Sequence, residues 1–221
     1  MKNWWSEIST FLREYRTNFK HTGAVMPSGK TLGKALARFV REREPGHPAD
    51  GGFRILEVGP GTGAVTRHIC TALRGKDALD LCELNPSFVA VLQERLGSES
   101  PFCDVAAQVT IFHQPIEQLP EDTQYDLIIS GLPLNNFNVA EVEHILGLFE
   151  RLLKPSGTLS FFEYIGIRKV RAIVSSGAGR ERLRGIGRAM DGMLLRGEIH
   201  RDRIWPNVPP AYVHHVRFCR D

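Results

Sequence analysis

The sequence predicts an α/β fold: a doubly wound sheet of seven strands, preceded by an amphipathic helical extension. Three observations predict it. Ile55-Leu56-Glu57-Val58 is a short, mostly apolar stretch that runs straight into Gly59-Pro60-Gly61-Thr62-Gly63, then into a helix-like pattern over 65–73. About twenty residues past the last of these glycines, Leu81-Cys82-Glu83-Leu84-Asn85 reads as a second strand ending in an acid. Strand-like and helix-like segments then alternate as far as residue 164, the pattern of parallel strands joined by crossover helices.

Glycine at alternate positions lets a backbone turn sharply while a ligand lies against it, and the helix that follows offers free N–H groups. A dinucleotide site would show Gly-x-Gly-x-x-Gly, with a pyrophosphate on the helix start. The pattern here is Glu57-x-Gly59-x-Gly61-x-Gly63, with an acid inside the strand. It resembles motif I of class I S-adenosylmethionine-dependent methyltransferases, whose cofactor has no pyrophosphate and a zwitterionic amino-acid end. That resemblance implies a Rossmann-like sheet. It also implies that Glu83, at the end of the second strand, holds the ribose hydroxyls.

A chain of 221 residues with 42% apolar side chains can bury the core of one α/β domain of ordinary size. No run of about eighteen apolar residues occurs, so no transmembrane helix is expected. No secretory leader is expected either, because the first residues are amphipathic and carry an early acid, Glu7. Cys70, Cys82, Cys103 and Cys219 are scattered without a Cys-x-x-Cys pair, so a metal site is not expected and a reducing cytoplasm is the natural setting. The net charge of +3 hides an asymmetry. Residues 1–50 carry 9 basic and 5 acidic side chains, residues 51–166 carry 7 and 15, and residues 167–221 carry 12 and 5. An acidic centre between two basic ends points to an anionic surface, phospholipid or nucleic acid.

In chain order, Trp4, Ile8, Phe11, Leu12, Tyr15 and Phe19 form one helical stripe, widened by Trp5 and bordered by Arg13, Arg16 and Lys20. This composition suits a helix lying in a bilayer interface, with Trp4, Trp5, Phe11 and Tyr15 inserting, or a lid packed on the domain. Gly23 and Pro27 break that helix, and Ser28 or Thr31 is expected to cap another over 32–43. Residues 1–50 are thus read as a helical extension and 51–221 as the catalytic domain. Asn85-Pro86 stops the second strand and caps a helix over 87–96. The third strand is expected over 109–113 and the fourth over 125–130, followed by a helix over 139–153, a turn at 154–157 and the fifth strand over 158–164. A helix over 179–195 and antiparallel strands over 199–205 and 212–218 close the sheet.

Gly23-Ala24-Val25-Met26-Pro27-Ser28, the glycine loop, Glu83-Leu84-Asn85 and Ser130-Gly131-Leu132-Pro133-Leu134-Asn135-Asn136-Phe137 together resemble the bacterial phospholipid N-methyltransferase family. Members methylate phosphatidylethanolamine toward phosphatidylcholine, and close relatives methylate ornithine-containing aminolipids. The resemblance implies a peripheral enzyme on the inner face of the cytoplasmic membrane, here expected to be monomeric. It implies cofactor contacts from Ser28, Glu57, Gly59, Gly61, Thr62, Gly63, Glu83 and Leu84, from Gln114, Pro115 and Ile116 after the third strand, and from Ser130, Gly131 and Leu132. Many relatives have Gly-Asp-Ala where Gln114-Pro115-Ile116 stands, so the adenine amine falls to Gln114 or Glu117. Many also have Tyr-Gly where Tyr164-Ile165-Gly166 stands.

Pro133, Leu134 and Asn135 are expected at the substrate, with Arg217 on a lipid phosphate, since guanidinium forks suit phosphate oxygens. A lipid ammonium must lose a proton before it attacks a methyl group, and Tyr15, His113, Glu163 and Tyr164 are the candidate bases or amine-holding groups. Two other classes compete. An adenine-N6 nucleic-acid methyltransferase would carry Asn-x-Pro-aromatic, and Ser130-Gly131-Leu132-Pro133-Leu134 lacks both the Asn and the aromatic residue. A non-catalytic membrane module that senses the cofactor would show a damaged glycine loop, and this one is intact.

Overall fold

The computed structural model describes residues 27–43, 51–120, 123–134, 137–165, 177–205 and 209–218. The proposed interfacial helix with Trp4, Trp5, Phe11 and Tyr15, together with Asn135, lies outside them. Seven strands form one sheet: β1 (Arg54–Val58), β2 (Ala78–Cys82), β3 (Val109–Phe112), β4 (Tyr125–Ser130), β5 (Leu153–Tyr164), β6 (Glu198–Ile204) and β7 (Ala211–Arg217). Their order is β3-β2-β1-β4-β5-β7-β6. Strands β1 to β5 pair in parallel, and β7 runs antiparallel to both β5 and β6. The expected doubly wound, Rossmann-like sheet is therefore present.

Among the described residues the α-helices are α1 (Pro27–Leu36), α2 (Arg38–Arg41), α3 (Thr66–Cys70), α4 (Pro86–Ser98), α5 (Val139–Leu152) and α6 (Gly177–Gly197). One apolar core lies under α5 and α6 and includes Leu56, Ile128, Leu159 and Phe161. A second lies on the other face, where Leu36 and Val40 meet Ile55, Leu79, Ile129 and Val213. Covered on both sides, β4 is buried along its whole length, which explains its continuous apolar sequence. The chain works outward from β1 to β3 and then returns to β4. The switch point thus lies between β1 and β4, where such sheets open a crevice at their carboxyl ends.

Caps fix the helices that border this crevice. Asn85 accepts from the Ser87 N–H at the start of α4, with Pro86 in the first turn. Asn138 and Glu141 form a reciprocal capping box on α5. Other expectations need correction. α1 spans Pro27–Leu36, so Ser28 and Thr31 lie within the helix rather than ahead of it. Proline is tolerated there because its missing N–H would have no partner in a first turn. The turn expected at 154–157 is absorbed into β5 as an irregularity. Tyr125 pairs with Leu153 and Leu127 with Thr158, which leaves extra residues on β5 between the two pairs.

Two neighbouring histidines of β7 point to opposite faces of the sheet. His215 bonds the Ser160 hydroxyl at 2.8 Å and Asp202 at 3.3 Å. Asp202 also takes the Arg38 fork at 2.6 and 2.9 Å, which ties α2 to β6. Burial lowers the His215 imidazole from 6.5 to about 4, against the opposite pull of Asp202. The unfolded chain therefore takes up a proton near pH 6.5 that the folded chain refuses until about pH 4. Stability present above pH 6.5 should fall as pH drops toward 4, by up to about 3 kcal/mol. Urea midpoints at pH 7 and pH 4.5 measure this loss, and His215→Gln should remove most of it.

Candidate active site

Three segments meet at the carboxyl ends of β1, β2 and β4. Gly59, Gly61 and Gly63 have φ of +70°, +60° and +84°, a left-handed run that only glycine adopts without strain. The loop is anchored on both sides. The Gly59 N–H donates to the Cys82 carbonyl at 3.0 Å, and the Gly131 N–H donates to the Val58 carbonyl at 2.9 Å. Glu83 is 2% exposed, and its carboxylate accepts from the N–H groups of Gly61, Leu84 and Asn85, each at 2.9 Å. Those bonds hold the acid against the glycine loop. Glu57 lies below the loop, where it accepts from the Thr66 hydroxyl at 2.6 Å and braces α3. Thr62 is exposed at the tip of the loop.

From β4, Ser130 is buried, and its hydroxyl accepts from the Leu132 N–H at 3.3 Å. Leu132, Pro133 and Leu134 are buried. Leu134 is 1% exposed and belongs to the core under α5, so its side chain is not available to a headgroup. After β3, the Gln114 carbonyl accepts from the Cys82 thiol at 3.1 Å, Pro115 is half-buried and Ile116 is buried. The Gln114 amide turns away to donate to the Gln118 carbonyl at 2.8 Å. Glu117 is different. One of its oxygens meets His144 at 3.1 Å, while Oε2 is buried without a hydrogen-bond partner among the described residues. Burial raises its carboxyl above the ordinary value, against its own backbone bond and His144.

The residues fit S-adenosylmethionine on two observations. The left-handed glycine loop lies directly against an oriented acid, Glu83. The unpartnered Glu117 Oε2 lies beyond the end of β3 and would accept from an adenine amine where the usual acid is missing. Ser28 lies in α1, but its side chain is not among those described.

The structure does not bring the candidate bases together. His113 is exposed and bonds the Leu84 carbonyl at 3.2 Å. It stands at the end of β3, four strands from β5, or roughly 19 Å at the usual spacing. His113 and Glu163 therefore cannot serve one reacting atom. Tyr164 lies on the face opposite Glu163, with its ring edge against Phe162 at 5.1 Å. Arg217 is also misplaced as a substrate residue. Thr158 pairs with Arg217 and Tyr164 with Ala211, so Arg217 stands six residues, roughly 20 Å, from the carboxyl end. There it bonds the Thr158 hydroxyl at 3.2 Å. Antiparallel pairing of β7 reverses the order that residue number suggested.

Glu163 does have a partner that the sequence reading passed over. His214 Nε2 approaches Glu163 Oε2 at 3.8 Å, and His214 Nδ1 is 2.6 Å from Glu198. The sequence signal was the pair His214-His215 inside the strand Ala211–Arg217. Among the described residues, no cluster of His, Cys, Asp and Glu could hold a metal, and no helix is long and apolar enough to cross a membrane.

Residues 55–157 match the model of the methyltransferase domain family. Over 145 residues the chain is 27% identical to an ornithine lipid N-methyltransferase of Singulisphaera acidiphila, covering 64% of this chain and 71% of that one. Over 120 residues it is 30% identical to a tRNA1(Val) (adenine(37)-N6)-methyltransferase of Dyadobacter fermentans, covering 47% of this chain and 48% of that one. Among solved structures it is similar to an O-methyltransferase from Bacillus cereus in complex with SAH. That match has a TM-score of 0.62 and 15% identity, and covers 95% of this chain and 91% of that one, a likeness of fold.

Proposed function

We propose that this chain transfers a methyl group from S-adenosylmethionine to the headgroup amine of a membrane aminolipid, either phosphatidylethanolamine or an ornithine lipid. The observation that carries this reading is the likeness to the ornithine lipid enzyme, which extends over 71% of that relative against 48% of the tRNA enzyme. The basic ends of the chain and a buried carboxylate on β5 support it. The tRNA enzyme favours an adenine-N6 reading, but the β4 loop lacks the leading Asn and the stacking aromatic residue that such chemistry requires.

Bound in the crevice, the cofactor's sulfonium supplies an electrophilic methyl group. The rest of the work falls to the chain. The loop Gly59–Gly63 takes the amino-acid end, Glu83 the ribose hydroxyls and Glu117 the adenine amine. Leu132 and Pro133 exclude water beside the β4 end. Once the ammonium has lost its proton, the methyl transfer itself depends mostly on positioning and desolvation of the neutral amine.

Incubating the protein with labelled methyl donor, mixed lipids, tRNA and DNA tests the reading, and label in nucleic acid but not lipid would overturn it. The proposed anchor gives a further expectation. Deleting residues 1–20 should abolish sedimentation with anionic vesicles and lipid methylation, because Arg13, Arg16 and Lys20 each add about 1 kcal/mol at such a surface. Phe11→Asp should impair vesicle binding more than Glu7→Gln. Full vesicle binding by the deleted protein would reduce the segment to a lid.

A further inference from the structure

We infer that Glu163, backed by His214 and Glu198, is the route by which the proton leaves the substrate's ammonium group. This rests on the aminolipid reading for its substrate, but its geometry stands independently. Ser130, the last residue of β4, pairs with Phe161. Glu163 lies two residues further on, at the carboxyl edge and beside the loop that leaves β4. Behind it, His214 is 3% exposed, and its Nε2 has no hydrogen-bond partner among the described residues. That nitrogen faces Glu163 Oε2 across 3.8 Å.

The charged and titratable groups around the imidazole determine its tautomer. Glu163 faces it from β5, and Glu198 and Arg201 face it from β6. Tyr212 on β7 is 5.9 Å away between ring centroids, and the Phe161 ring stacks on it at 5.2 Å. From α6, Ile186, Met190 and Met193 bring only apolar surface to the core they share with Phe161. Burial works to raise the Glu198 carboxyl, but Arg201 and His214 outweigh it and hold the group below its ordinary value. Glu198 is thus ionised and accepts both the Arg201 Nε–H at 3.0 Å and the His214 Nδ1–H at 2.6 Å. Burial also holds the His214 imidazolium below its ordinary pKa, although Glu198 and Glu163 pull the other way. At neutral pH the proton is on Nδ1, and Nε2 presents a buried lone pair toward a carboxylate. A buried acceptor facing another acceptor is costly until a proton arrives between them.

The substrate supplies that proton. An N–H bond of the ammonium breaks and its electron pair stays on nitrogen. The proton passes to Glu163 Oε2 and on to His214 Nε2, giving an imidazolium between two carboxylates. The freed lone pair forms the new C–N bond, and the electrons of the methyl–sulfur bond leave with sulfur as a neutral thioether. Glu163 is the catalytic residue in this scheme. His214 and Glu198 are positioning residues that act through it.

The test uses the full chain, labelled methyl donor and vesicles of phosphatidylethanolamine with phosphatidylglycerol. Glu163→Gln and His214→Gln should each lower kcat about 100-fold at pH 7, with KM for the methyl donor unchanged. The rate of each variant should recover as pH rises, because water then removes the amine proton. Glu163→Asp should restore part of the rate. A kcat within about threefold of the parent, in variants with native melting temperatures, overturns the proposal. A second readout needs no substrate. The His214 Cε1–H resonance should titrate at lower pH in Glu163→Gln than in the parent, and an unchanged titration overturns the shared proton. Should the parent fail to methylate any lipid amine, the substrate reading fails, and the titration still decides the pair.

Discussion

Replacing Gly131 by valine is expected to reduce S-adenosylmethionine binding by roughly 100-fold or more, equivalent to about 2.7 kcal/mol. A Cβ at this position would stand 2.7 Å from the Gly59 carbonyl oxygen and 3.5 Å from that of Val58. Both neighbours are backbone, so neither can rotate away. The Gly131 N–H bond to the Val58 carbonyl would be strained at the same time. The β4 loop would have to lift from the glycine loop, and the crevice between β1 and β4 is made by their contact. Calorimetric titration of the cofactor measures the loss. Thermal melting shows whether the sheet survives, as it should, since the clash lies beyond the last β4 pair. Affinity close to that of the parent would mean that the two loops are not the cofactor's walls.

Glu83→Ala is expected to weaken the same binding by at least about tenfold. Hydrogen bonds to a charged group contribute roughly 1.5–3 kcal/mol each, and 1.4 kcal/mol is already a factor of ten. The substitution acts twice. It removes the acceptor for the ribose hydroxyls, and it leaves the N–H groups of Gly61, Leu84 and Asn85 without their carboxylate. Glu83→Gln should fall in between, because one amide oxygen can replace part of the acceptor set while the charge is lost. Unchanged affinity in a folded Glu83→Ala protein would remove this acid from the site.

Much of this site was legible because it is local in sequence. The Gly59–Gly63 loop, the acid after β2 and the Asn85 cap each depend on residues within a few positions, and their chemistry is dictated by backbone conformation. The catalytic assignments were not legible in the same way. His113, Tyr164 and Arg217 are candidates by residue type alone, and they stand at three different places on the sheet. Glu163 faces His214, which Glu198 holds in turn, and these two are 51 and 35 positions away from it in the chain. Glu117 and Gln114 were equal candidates in the sequence. They differ because the Gln114 amide closes on Gln118 while Glu117 Oε2 stays buried without a hydrogen-bond partner among the described residues.

The sequence by itself determined the strand–loop–helix unit, the period of the sheet and the acidic charge of its centre. These follow from side-chain periodicity and from the φ that glycine alone adopts freely. Tertiary structure decided which distant polar groups face one another. It put Arg217 at the amino end of the sheet, because β7 runs antiparallel to β5. It also put His214 beside Glu163, because neighbouring strands bring a residue of one next to those diagonally across on the other. Pairing direction and register are properties of the assembled sheet. A shift of one residue would send either side chain to the opposite face.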